Sequence, residues 1–532
     1  MEESKQKALD EWIRRFDAAV VQGRLLRNYF MKAGLSLDRL YPVPGRRTWL
    51  VYLQPSLNLR RRFDLAPEIL AVVSPYEKVH AQELDAAANA LRETHRLDRG
   101  LVLFFSDDPS AARELDAVLP DERATIFFHI DDLLATSDPE ASLRRYLAAQ
   151  LGSGRPFAPG SPVSDWQFFG RQTELLELER RLLETTQPVA LFGLRKMGKT
   201  SLIRRLQQKW RDDRNEAGPR AVILYCDLQS IPFTRRSLAG LMRKLLEEIR
   251  SVVADNALLP GFRGRPWTNQ DLRQLDEKSL AGLAIDALDD MLSRIAERPS
   301  AKLVVAIDEY ERLLNEKMFP RAEGLDFLDM LRGYSQQQPR AFSFLVAGLD
   351  RRWALQGRYE GRQNPLYGGI YQMPLAGFSR QELGNLMRKL GRRAGLDFTR
   401  EAIDRIAAES GGHPYIARLF ADIIDQGAPS SRIEPIRITD SLVGSALPSL
   451  DREAASTMIE LADTISDLAQ SSEKTAPAVT QAWMRHIDSP PPPALHDDLV
   501  RYGLVEGSSV RIGAFARWAR QNFYSSASAG HD

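Results

Sequence analysis

The chain of 532 residues has a single cysteine, Cys226. An intrachain disulfide and a cysteine-built zinc site are both excluded. Neither charge is in excess: 72 Lys and Arg against 71 Asp and Glu leave a net charge of +1. Such a balance argues against a protein that coats a polyanion over its whole surface, though not against a local basic patch. No apolar run approaches the about 18 residues that span a bilayer. The longest, such as Leu303-Val304-Val305-Ala306-Ile307, have the length of a buried strand. The first residues, Met1-Glu-Glu-Ser-Lys-Gln-Lys, are charged and lead into no apolar signal core. There is no repeat of fixed period. What is present, 43% apolar and 27% charged residues, is ordinary globular usage. At about 150 residues per domain the length corresponds to roughly 3.5 domains. The expectation is a soluble, cytoplasmic, multidomain protein with no membrane partner.

Residues 1–150 open with an amphipathic helix pattern (Trp12, Ile13, Phe16, Val20). Short apolar runs follow at 49–53, 69–73, 101–105 and 125–128, with helical stretches at 80–94 and 111–118. Strands alternating with helices predict a separate small α/β domain, to which the sequence assigns no role. Residues 151–162, rich in Gly, Pro and Ser, read as a linker. Residues 163–375 alternate strands and helices again, 376–428 read as helical throughout, and 429–450 as a connector. Residues 451–525 give helices at 453–469 and 477–486, the proline run Pro490–Pro493, a helix from Leu495 and two short strands around 507–509. That is the order of a winged helix. Residues 526–532 read as a disordered tail.

The sharpest motif is Gly193-Leu194-Arg195-Lys196-Met197-Gly198-Lys199-Thr200, which fits G-x-x-x-x-G-K-[ST]. Val189 to Phe192 ahead of it reads as a buried strand. Leu202, Ile203, Leu206 and Trp210 behind it recur at helical spacing. A loop between a strand end and a helix start is the context such a motif requires. The glycines let successive amides turn inward on phosphate oxygens, and the helix N-terminus adds partial positive charge. Residues Gly193 to Ser201 are the expected phosphate cradle. Lys199 is expected to reach the β- and γ-phosphates, and the Thr200 hydroxyl to bind Mg2+. The plainer reading is a glycine turn with a solvated lysine.

A second site follows the apolar run 303–307, which leads directly into Asp308-Glu309. Acids at the C-terminal end of a central parallel strand stand where such sheets bind ligands. Asp308 is expected to hold Mg2+ through water, and Glu309 to polarise the attacking water. The plainer reading is an acid pair stabilised by a helix N-terminus.

With these motifs the chain resembles the archaeal-type AAA-like ATPases, within the class of signal-transduction ATPases with numerous domains. The resemblance covers about 163–425 and, more loosely, the C-terminal block. Phe168-Phe-Gly170-Arg171 with Glu174 and Leu175 resembles the family's opening motif. Residues 222–229 are similar to its second strand, and Asn364-Pro-Leu-Tyr-Gly followed by 373–379 resembles a segment of relatives. Gly411-Gly412-His413-Pro414-Tyr415 resembles the Gly-His-Pro element of the helical lid. The resemblance implies that Gly170 and Arg171 lie near the adenine, that Pro414 packs on the base, and that His413 sits near the phosphates or the base. Locally, Gly-His-Pro also reads as a helix stop followed by proline at the next helix start. Two departures stand out. The strand 342–348 ends in Gly348 where relatives carry a polar γ-phosphate sensor, leaving Arg351 as the candidate. The lid arginine is missing at Tyr415, and Arg418 lies one turn later.

The expected fold is therefore α/β: a P-loop NTPase parallel sheet with a helical lid and C-terminal winged helix, preceded by a small α/β domain. The expected function is a molecular switch that binds ATP (or ADP) with Mg2+ and hydrolyses it slowly or only with a partner, its nucleotide state controlling domain arrangement or self-association for signalling, with a protein partner or a second copy as the expected contact. The alternatives are a DNA-associated ATPase using the winged helix and a nucleotide-locked scaffold without turnover. DNA is the less favoured partner. The helix that would enter the groove carries Asp497 and Asp498, which repel phosphates. Arg511, Arg517 and Arg520 keep that reading open.

Overall fold

The computed structural model describes residues 2–20, 22–63, 65–76, 86, 89–90, 96–106, 108, 124–130, 133, 136–153, 155–160, 168–212, 221–232, 235–255, 267–297, 301–349, 354, 356–359, 361–429, 435–470 and 477–524. Two compact units result, one of residues 1–170 with 379–454, the other of residues 171–378 with 455–532.

In the first unit, helices Glu2–Ala19 and Gly23–Lys32 precede β1 (Leu35–Pro42), β2 (Trp49–Pro55), β3 (Glu68–Ser74), β4 (Leu97–Ser106) and β5 (Ala124–His129). The strands lie side by side in that order. β1, β2 and β3 are antiparallel; β3, β4 and β5 are parallel. All seven residues of β3 are buried, as a strand covered on both faces demands. Phe16, Leu26 and Phe30 of the opening helices close one face against Val51, Val73, Phe105 and Phe128. β1 has no continuous apolar run, with only Leu35 and Leu40 buried, so its pattern does not announce a strand. The helical stretches expected at 80–94 and 111–118 fall largely outside the described residues.

In the second unit, the helix Gln172–Glu179 runs into a π-helical turn, Arg180–Glu184. Buried Lys302 closes that turn by donating from Nζ to the carbonyls of Leu182 (2.9 Å) and Leu183 (3.2 Å). Then come β6 (Val189–Phe192), β7 (Ala221–Asp227), β8 (Lys302–Asp308), β9 (Phe342–Gly348), the short pair β10 (Arg358–Tyr359) and β11 (Arg362–Gln363), and β12 (Tyr371–Pro374). The main sheet is parallel, in the order β12-β6-β9-β8-β7. β6, β8 and β9 are buried at every residue, the signature of a parallel sheet covered on both faces. This is the expected α/β class.

The chain then returns to the first unit with helices Arg380–Ala394, Arg400–Ser410, Pro414–Gly427 and Asp440–Glu453. Ser379 and Glu382 form a reciprocal capping box at the first of these. The segment read as helical throughout also contains a strand, β13 (Leu396–Phe398), parallel to β14 (Ile436–Ile438). Three residues after a glycine stop are too few for a period-2 pattern to register. Arg393, on the helix Arg380–Ala394, meets Asp98 of β4 in a buried ion pair at 3.1 Å.

The second unit ends with helices Ala455–Gln470, Pro477–Arg485 and Pro493–Arg501, the antiparallel pair β15 (Val505–Glu506) and β16 (Ser509–Val510), and a helix Gly513–Tyr524. This last helix extends the expected three-helix, two-strand order. The tail 526–532 lies outside the described residues. Among those described, no helix is long and apolar enough to cross a membrane.

Candidate nucleotide-binding site

β6 ends at Phe192, and the helix Lys199–Asp212 begins at the motif lysine, so residues 193–198 form the loop between them. Gly198 has φ +90°, a conformation that glycine adopts at no steric cost. Lys196 is also left-handed, at φ +61°. The sheet order sets β9 between β6 and β8, so the tips of the three strands stand in a row. Phe192 pairs with Gly348, and Asp308 with Ala347.

Lys199 is buried and donates from Nζ to the carbonyls of Gly193 (2.8 Å) and Leu194 (3.0 Å). Burial pushes its pKa down, opposed by the carboxylates of Glu311, Asp308 and Glu309. Thr200 donates its hydroxyl to Asp308 Oδ2 at 2.6 Å, and Tyr225 of β7 donates to the same oxygen at 2.8 Å. Burial and the neighbouring Asp308 hold the Tyr225 phenol neutral, with its pKa raised. Glu309 follows at φ +60°, an uncommon backbone state for a non-glycine residue. Its amide donates to Asp308 Oδ1 at 3.1 Å, and its carboxylate lies 3.7 Å from Arg312 Nε. Thr200 and Asp308 thus present hard oxygen donors side by side, which suits Mg2+. Among the described residues no group of three or more His, Cys, Asp or Glu gathers into a metal site, so that ion would rely on Thr200, Asp308, water and phosphate.

Arg171 is 4% exposed. Its guanidinium bonds Glu174 Oε1 at 2.8 Å and the Met197 carbonyl of the loop at 3.4 Å, and lies 4.7 Å from the Phe378 ring centroid. Of the loop's own basic residues, Arg195 and Lys196 are exposed while Lys199 is buried. Lys196 Nζ donates to Thr457 Oγ1 at 3.2 Å and lies 3.4 Å from Glu460, both on the helix Ala455–Gln470. Two further bonds join the C-terminal block to the sheet: Tyr502 to the Leu349 carbonyl (2.9 Å) and Arg511 to the Phe378 carbonyl (3.4 Å).

Gly193 to Ser201, Asp308, Glu309 and Arg171 therefore belong to one compact unit, while Gly170, His413 and Pro414 belong to the other. There, buried His413 precedes the helix Pro414–Gly427, with Pro414 in its first turn and Gly411 left-handed at the end of the preceding helix. The local stop-and-restart role of Gly-His-Pro is present. Arg418 donates to the carbonyls of Pro156 and Ala158, both at 3.1 Å, and burial lowers its pKa to about 10. Arg351 lies outside the described residues. Three residues of this neighbourhood were not among the expected site residues: Tyr225 and Phe378, which lie inside the stretches 222–229 and 373–379, and Glu311. The strand run 222–227 was the available signal for Tyr225, whose side chain alternates toward the acid tip.

No protein-family model matches the chain, and no curated protein matches it. Among solved structures it is similar to the Walker-type ATPase PABY2304 of Pyrococcus abyssi, at 16% identity over 69% of this chain and 99% of that one, TM-score 0.46. It is also similar to the ORC2 protein of Aeropyrum pernix, at 14% identity over 71% and 98%, TM-score 0.41. A third is Cdc6p of Pyrobaculum aerophilum, at 12% identity over 69% and 98%, TM-score 0.36.

Proposed function

We propose that the chain binds ATP with Mg2+ at the 193–201 loop and hydrolyses it slowly, its nucleotide state governing domain arrangement or self-association. The observation that carries this reading is the buried Lys199 ammonium between the loop carbonyls and the acid-bearing tips, beside the Thr200–Asp308 pair. A buried cation held by neutral carbonyls is ready to exchange them for phosphate oxygens. Asp308 serves the metal, and Glu309 acts as base for the attacking water. Arg171 braces the loop through Met197. The bond from Lys196 to the C-terminal block, and those from Tyr502 and Arg511 of that block to the Leu349 and Phe378 carbonyls, give the loop and the sheet tips a route to an outer module.

The test is the molecular mass of the full chain in solution with ADP and with a non-hydrolysable ATP analogue, alongside turnover of labelled ATP by the parent and Glu309→Gln. A nucleotide-dependent mass and a variant that retains uncleaved ATP support the reading. Parent and variant that turn over alike remove Glu309 from it, and turnover absent even in a single-turnover assay leaves the scaffold. DNA remains the weaker partner. Arg520 is paired with Asp488 at 2.6 Å, Arg511 reaches inward to Phe378, and the Asp497 side chain is 87% exposed. Duplex binding that weakens steeply with salt would reverse that preference.

A further inference from the structure

The tip of β9 has no side chain of its own. Gly348 lies beside the start of the phosphate loop, for its carbonyl accepts from the Gly193 amide at 3.3 Å. On the other side β8 ends in Asp308. A Cβ at Gly348 would overlap Glu311 Oε2 and come within 2.6 Å of the Tyr310 ring. The space over the tip is thus filled by the carboxyl of Glu311, the first residue of the helical turn Glu311–Leu314. Its Oε1 accepts from the Leu349 amide at 3.2 Å, while Oε2 is buried and makes no hydrogen bond among the described residues. A buried polar atom left in this state costs about 1–3 kcal/mol unless a ligand completes it.

Resting on the nucleotide reading above, we infer that Glu311 is a positioning residue for the terminal phosphate, supplying over the β9 tip the polar contact that Gly348 lacks. The contact is a hydrogen bond donated by the neutral carboxyl to a phosphate oxygen; the ionised form would repel the same oxygen. Burial, reinforced by Glu309, pushes the Glu311 pKa up to about 7, and Lys199 opposes the rise. Among the described residues, Lys199 from the loop helix and Glu309 from the β8 tip are the charges that face it. Preference for triphosphate over diphosphate is therefore high at acid pH and falls as pH rises through neutrality.

The experiment titrates Mg-ADP and a Mg-bound non-hydrolysable ATP analogue into the full chain, Glu311→Gln and Glu311→Ala between pH 6 and 8.5. One hydrogen bond corresponds to about a ten-fold ratio. The parent is expected to lose about that much triphosphate preference across the range. Glu311→Gln, a permanent neutral donor, keeps it at both ends, while the ligand's own titration is common to both proteins. Glu311→Ala lacks the preference throughout yet binds ADP like the parent. A parent ratio that follows the Gln variant at every pH overturns the inference, as does an Ala ratio equal to the parent's at pH 6; ADP binding would then still stand. If Glu311→Ala fails to bind ADP, the Gln profile alone decides. A parent that binds neither nucleotide refutes the nucleotide reading itself, and this inference with it.

Discussion

Lys196 and Lys199 stand in one loop and are held in different ways, so replacing each with methionine separates them. Lys199→Met keeps the aliphatic stem and removes a buried ammonium bound to two carbonyls at 2.8 and 3.0 Å. Those two bonds cost nothing to the fold if exchanged for phosphate oxygens, because the cation is already desolvated; burial has already lowered its pKa. The gain on binding is the difference between an ionic and a neutral acceptor. Charge-assisted bonds are roughly twice as strong as neutral ones, and each is worth about 1.5–3 kcal/mol. Two exchanges therefore yield about 3 kcal/mol, or roughly 100-fold in affinity. Lys196→Met loses a half-exposed contact to Thr457 and Glu460, worth about 0–1 kcal/mol. Its amine is directed to the helix Ala455–Gln470, so nucleotide affinity should stay within about five-fold, the ratio to which the upper end of that pair's about 0–1 kcal/mol converts. Calorimetric titration of Mg-ADP measures both, with melting in the absence of nucleotide as the control for folding. If Lys199→Met binds as the parent does, or if the two variants lose affinity equally, the assignment of the buried lysine to phosphate is wrong.

Asp308→Asn removes the charge beside Thr200 but keeps acceptor capacity for the Thr200 and Tyr225 hydroxyls; nucleotide binding should lose its dependence on Mg2+, read as equal affinity with the metal and with a chelator. In the other unit, Asp98→Ala or Arg393→Met alone strands a buried charge and should destabilise by about 3–5 kcal/mol, whereas the double replacement by leucine should recover most of the loss, as denaturant unfolding would report. Burial lowers the Lys302 pKa to about 8. The unfolded chain binds the proton more tightly, so this residue's contribution to stability rises with pH from about 8 to about 10.5, between its folded and unfolded pKa values. The melting-temperature difference between Lys302→Met and the parent should shift in the parent's favour over that range, and a constant difference would show that the ammonium keeps its charge against the Leu182 and Leu183 carbonyls.

The loop 193–198 between strand and helix was legible because its signal is local. Gly193, Gly198, Lys199 and Thr200 are fixed by a spacing, and the apolar runs on either side identify strand and helix without knowledge of the rest. The run into Asp308-Glu309 was legible for the same reason. What escaped depends on strand order. That β9 lies between β6 and β8, and so brings Gly348 and Glu311 to the loop, is written in no stretch of adjacent residues. The missing side chain at Gly348 was visible in the sequence. The carboxyl that fills its place was not, because the two are 37 positions apart and meet only through the sheet. Lys196 read as one more basic loop residue, since its partner Glu460 lies 264 positions on. Arg418, one turn beyond the missing lid arginine, bonds through Nη2 to the backbone carbonyls of Pro156 and Ala158, partners more than 250 positions away. β13 was lost inside a helical segment because three residues carry no period.

Among these, the left-handed backbone at Lys196 and Glu309 links the loop with the acid tip. Both are non-glycine residues at positive φ, 61° and 60°, which costs of order 1 kcal/mol or more at each. Each has a visible compensation. Lys196 is tied by its side chain to Thr457 and Glu460, and the Glu309 amide is held by Asp308 Oδ1. Strain held in this way is relieved when its tether is removed. Changing Glu460→Gln together with Thr457→Val frees the loop at one end while leaving Lys199, Thr200 and Asp308 intact. The physical expectation is a loop with more backbone freedom when empty, and so a larger entropic cost on binding. The loss should appear in the entropy of Mg-ADP binding rather than in its enthalpy. Amide exchange at 194–198 should also quicken in the empty protein and equalise with the parent once nucleotide is added. Exchange that is unchanged in the empty double variant would mean that the C-terminal helix does not hold the loop, and that any message between them travels instead through Tyr502 and the Leu349 carbonyl.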